Sequence, residues 1–103
     1  MLLQFENLDV RRVCEDEASA IAALGEEAQA LFAVLSDLRA ARNLSEVPAT
    51  ALEFDADHAR RFYAQLESSR LALSQNMQNV PLDEHGRLQL QEVTRVRVLE
   101  ILR

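Results

Sequence analysis

The sequence predicts an α+β fold, two N-terminal helices packed on a small antiparallel β-sheet, and three observations lead there. Apolar residues recur every three or four positions up to Pro48 and every second position after it. Helices therefore come first and strands second, without the alternation that winds a parallel sheet. The length of 103 residues and an apolar fraction of 49% suffice for one modest core, so residues 1–103 read as a single domain.

Taken in chain order, Leu2, Leu3 and Phe5 form a short apolar opening that fits a strand. Asn7 is placed to cap a first helix over Leu8–Glu17, in which Leu8, Val10, Val13 and Cys14 make one narrow apolar face. Ser19 and Gly25 blur the break that follows. A second helix is expected over Glu26–Arg42, where Ala28, Leu31, Leu35 and Leu38 make the stripe and Phe32 and Val34 widen it. Glu26 and Glu27 sit in its first turn and Arg39 and Arg42 in its last, as the macrodipole favours. Pro48 forbids its continuation.

Beyond Pro48, Leu52 and Phe54 alternate with acids, Phe62, Ala64 and Leu66 alternate with Arg61, Tyr63 and Gln65, and Leu71 and Leu73 alternate with Arg70 and Ser74. Glu67-Ser-Ser69 is a compact polar link, so the second and third of these strands should pair as an antiparallel hairpin. Residues 75–82 read as an irregular connection and Asp83–Gly86 as a turn. A last strand runs over Val93–Ile101, with Arg95 and Arg97 opposite Val96 and Val98.

Composition narrows the function. No run approaches the roughly 18 consecutive apolar residues of a spanning helix, and the N-terminus lacks a basic leader, so a soluble, unsecreted, cytoplasmic protein with no membrane partner is expected. The single Cys14 has no disulfide partner and reads as a small buried hydrophobe. With two glycines in all there is no Gly-rich phosphate loop, and no cofactor is expected. The net charge of -6 opposes general affinity for nucleic acid. That average hides a split: residues 1–57 hold 12 acids against four arginines, net -8, whereas residues 58–103 hold seven arginines against five acids, net +2. Lysine is absent, so every basic side chain is a guanidinium suited to bidentate phosphate recognition. A DNA-binding role for the second helix is disfavoured by Glu26 and Glu27, which would face phosphates at the inserting end.

One constellation mixes proton-transfer and phosphate-binding groups: Asp55-Ala-Asp-His58-Ala-Arg-Arg61-Phe-Tyr63, with Arg70 on the next strand and Arg95 and Arg97 on the last. Histidine titrates near neutrality and guanidinium groups stabilise charge on a phosphate, which are the parts metal-free RNA cleavage needs. Paired acids and arginines on a solvated strand edge account for the same residues. Three ligands within Asp55, Asp57 and His58 match no common zinc spacing, so no metal is expected.

Three strings carry a resemblance: Leu35-Ser-Asp-Leu-Arg-Ala-Ala-Arg-Asn-Leu-Ser-Glu-Val-Pro48, Arg61-Phe-Tyr-Ala-Gln-Leu-Glu-Ser-Ser-Arg-Leu-Ala-Leu73, and the stretch from Val80 to Ile101. Together they resemble the RelE/ParE toxin superfamily, nearest its HigB-like branch of plasmid-maintenance or killer proteins. The resemblance implies a RelE-like fold, a small antitoxin as partner, and ribosome-dependent cleavage of mRNA without a metal. It puts Phe62 at the family's aromatic position and Arg70 at its strand arginine, while Asp55, Ala56, His58 and Arg60 stand where Lys, Gly, Arg and Gly are usual. His58, Arg61 and Arg70 are then the expected catalytic residues and Arg60, Arg95 and Arg97 the expected phosphate contacts. Activity weakened or lost is the corresponding expectation, with a non-catalytic protein-interaction module as the alternative. Apolar surface beside the sheet edge would serve either a homodimer or an antitoxin.

Overall fold

A computed structural model describes residues 1–48, 51–55 and 60–103. Strand β1 (Leu2–Phe5) leads into α1 (Leu8–Glu15), α2 (Glu17–Leu24) and α3 (Ala28–Ala40), and the strands β2 (Leu52–Phe54), β3 (Arg61–Gln65), β4 (Arg70–Gln75) and β5 (Arg95–Leu102) follow. The five strands form one sheet in the order β1-β5-β4-β3-β2. The α+β class is as the periodicity predicts. Pairing is antiparallel throughout β2 to β5, but β1 joins the edge of β5 in parallel, so the sheet is mixed. A strand ahead of the helices and a strand at the chain's end meet only after the helices have crossed the sheet, and nothing local to either announces that pairing.

The helical half differs from expectation at its breaks. Asn7 caps α1, its Oδ1 accepting from the Val10 N–H at 2.9 Å. Asp16 then ends α1 and caps α2, accepting from the Ser19 N–H at 2.9 Å, so the second helical stretch begins at Glu17 rather than Glu26. Gly25 interrupts it with φ +61° and ψ -126°, a conformation open to a residue without Cβ, and Gly25–Glu27 form a single 3-10 turn before α3. By length and composition alone Glu17–Ala40 is long and apolar enough to cross a membrane. Five of its residues, Ala20, Ala28, Leu31, Leu35 and Leu38, are buried in the core.

The opposing layer is supplied by alternate strand residues. Phe62, Ala64, Leu71, Leu73, Val96 and Val98 are buried on the helix-facing side, with Cys14, Leu44 and Val93 closing the rim. Each fully buried Leu, Val or Phe contributes about 1.5–3 kcal/mol, so this two-layer contact is the main stabilising term. Leu8, expected on the buried face of α1, is 71% exposed, because only Val10, Val13 and Cys14 reach the core. At the far end, the N-terminal ammonium of Met1 donates to the carbonyls of Leu38 (3.2 Å), Arg39 (3.0 Å) and Ala41, joining β1 to the electronegative end of α3.

Candidate functional site

The helices cover one face of the sheet and leave the other open. Strand alternation sends Phe62 and Ala64 inward, hence Arg61, Tyr63 and Gln65 outward, and the register carries the rule across strands. One cross-strand row on this outer face reads Gln4, Arg97, Ser74, Arg61. The next reads Glu100, Ala72, Tyr63, Glu53, and a third reads Leu102, Arg70, Gln65. Arg95, two residues before Arg97, shares its face and is exposed. Arg61, Arg70, Arg95 and Arg97, dispersed over 37 positions of chain, thus lie on one surface. Arg61 and Arg97 are two strand spacings apart, about 10 Å at the backbone, close enough for both guanidinium groups to reach one phosphodiester.

Local partners set what these cations offer. The Arg70 guanidinium lies 4.6 Å over the Tyr63 ring and 4.0 Å from Glu53, so a ring face and a carboxylate already hold it. Arg97 approaches Glu6 at 3.7 Å, while its Nε is buried and has no hydrogen-bond partner among the described residues. Both ion pairs are substantially exposed and worth at most about 1 kcal/mol, so an incoming phosphate can displace the carboxylates. Arg61 and Arg95 have no ion-pair partner among the described residues. The Tyr63 hydroxyl donates to Asp55 Oδ2 at 3.4 Å, which brings an acid to the β2 side of the face.

Of the residues expected to carry chemistry, the structure assembles Arg61, Arg70, Arg95 and Arg97. His58, expected to exchange protons, lies outside the described residues, as do Ala56 and Asp57. Arg60 is exposed in the turn before β3, where its carbonyl accepts from the Gln75 N–H at 3.0 Å. No group of three metal-ligating side chains occurs among the described residues. Cys14 is a core residue whose thiol is pushed up to about 11 by burial, which keeps it protonated and poorly nucleophilic. The sequence places Tyr63 in the Asp55–Tyr63 string but singles out none of Ser74, Gln4, Glu6 or Glu53 for this surface. Their alternation was legible, but their adjacency depends on register between strands.

Compared with protein-family models, with curated proteins and with solved structures, the chain finds no match.

A second surface feature lies on the helices. A groove of about 510 Å³ beside the α2–α3 break has an apolar floor of Ile21, Gly25, Ala28 and Phe32, flanked by Glu17 and Glu26. Ile21 is 51% exposed there.

Proposed function

We propose that this chain is the toxin-fold component of a type II toxin–antitoxin pair, acting in the cytoplasm, whose outer sheet face contacts mRNA on the ribosome with cleavage weakened or lost. The observation that carries this reading is the row Arg97, Ser74, Arg61, with Arg70 and Arg95 on the same open face. Guanidinium groups spaced along a flat surface can hold successive phosphates. In this scheme Arg61 and Arg70 hold the scissile phosphate, Arg60, Arg95 and Arg97 hold its neighbours, and His58 exchanges protons with the ribose hydroxyl. The string resemblance supplies the partner class: a small antitoxin.

A second reading, a non-catalytic interaction module on a degenerate toxin fold, is favoured by one specific observation. Arg70 and Arg97 each already face a carboxylate, Glu53 and Glu6, and the chain as a whole is acidic. The acid-flanked apolar groove on the helices would then be the working surface, for a partner protein or a second copy.

Induced expression separates the two. Growth arrest by the wild type, relieved in a stably folded Arg61→Ala/Arg97→Ala variant, is the outcome expected of the first reading. Unimpaired growth with both would remove residual cleavage at this face and favour the interaction module.

A further inference from the structure

Five donors converge on one carboxylate at the β3–β4 hairpin. Glu27 Oε1 accepts from the backbone N–H groups of Glu67 (2.9 Å), Ser68 (2.6 Å) and Ser69 (3.0 Å) and from the Ser69 hydroxyl (3.0 Å), and Oε2 accepts from the Ser68 hydroxyl (3.1 Å). Three successive N–H groups turned to one point make a concavity for an anion, and bonds to a charged acceptor are the strong kind. The donors act on the carboxyl group itself, whose pKa is lowered from 4.5 to about 2, the Ser68 N–H being the largest cause.

The ligand comes from far away in the chain, from the 3-10 turn that follows Gly25, 40 residues before Glu67. Within the hairpin the link is otherwise held by the Leu66 N–H on the Ser69 carbonyl (2.9 Å) and by Gln65 Nε2 on the carbonyls of Glu67 (3.1 Å) and Ser69 (3.2 Å). None of those bonds uses the three N–H groups of the link, so without a carboxylate they lose their protein partner, including that of Ser69, which is only 2% exposed. The residue after Ser69 is Arg70, the first of β4, whose guanidinium lies 4.6 Å over Tyr63.

We propose that the β3–β4 hairpin is an oxyanion-binding nest, that Glu27 is its built-in ligand, and that filling the nest positions Arg70 over Tyr63 on the outer face. Glu27 is on this account a positioning residue. The value of Arg70's placement for RNA rests on the reading above, whereas the nest and its effect on Tyr63 do not. Emptied by Glu27→Ala, the nest takes a small free carboxylate such as formate.

The chain has one tyrosine and no tryptophan, so its near-ultraviolet tyrosine band reports Tyr63 alone. That band and the melting temperature are to be measured for the wild type, E27A, E27Q and R70A, in formate and in chloride at equal ionic strength. In E27A the band should move toward that of R70A, and formate should restore it saturably and raise the melting temperature where chloride does not. Adding E27A to R70A should move the band no further. A wild-type band in E27A, or a lowered melting temperature that formate and chloride restore alike, overturns the proposal. Should E27A fail to fold in either salt, E27Q decides: a displaced band is expected, and an unchanged one overturns. No readout involves RNA, so failure here and failure of the toxin reading are distinct results.

Discussion

At the scale of single residues, the outer face and the core behave differently on substitution. Leu35, fully buried where α3 meets the sheet, has no water to replace its lost contacts. Leu35→Ala should cost about 2–5 kcal/mol in denaturant unfolding, and a value below 1 kcal/mol would mean that the helix layer is loosely seated. Glu27 makes a pH prediction with a definite sign. Its folded pKa, about 2, lies below its ordinary 4.5, so the folded state binds this proton more weakly than the unfolded one. The stabilisation is therefore complete above pH 4.5 and is lost as pH falls through about 2. The melting-temperature difference between wild type and E27Q should be steady near neutrality and narrow across that acidic window. A difference that does not depend on pH would remove the charge from the explanation.

At the scale of elements, breaks matter as much as runs. Gly25 holds φ +61° and ψ -126°, and no atom of the described residues lies within 4 Å of where a Cβ would stand, so the cost of a side chain there is in the backbone, not in a clash. Gly25→Ala should lower stability by about 1–3 kcal/mol, measured by thermal melting, and no loss would show that the corner relaxes freely. At the start of α1, Asn7→Ala removes the acceptor of the Val10 N–H and should cost about 1 kcal/mol. Residues of the sequence marked these breaks: Asn7, Gly25 and Pro48 stand at or beside the ends of elements. The α2 helix was less legible. Its Glu-Ala-Ser-Ala-Ile-Ala-Ala-Leu run buries only Ala20, so it shows almost no amphipathic stripe to find.

At the scale of the molecule, charge is distributed by layer. The helical half carries most of the acids, and the open sheet face carries Arg61, Arg70, Arg95 and Arg97. RNA binding, on the proposed reading, is then a local attraction working against a net charge of -6 and should be weak and steeply salt-dependent. Fluorescence anisotropy with single-stranded RNA should give a log–log salt slope that falls by about 0.7 for each of Arg61 and Arg97 replaced by Ala. A slope indifferent to both substitutions would place any RNA contact elsewhere.

By itself the sequence determined the class of fold, the Asn7 cap, most strand positions and the outward alternation of the arginines, because each of these depends on spacing along a few neighbouring residues. Only the tertiary structure decided that β1 lies parallel to β5, that Arg97 and Arg61 share a row through Ser74, and that Glu27 serves the 67–69 hairpin rather than a helix dipole. Those are contacts between residues tens of positions apart. Their register is set by which apolar faces must be buried together, a condition satisfied by the whole chain at once and written in no local stretch of it.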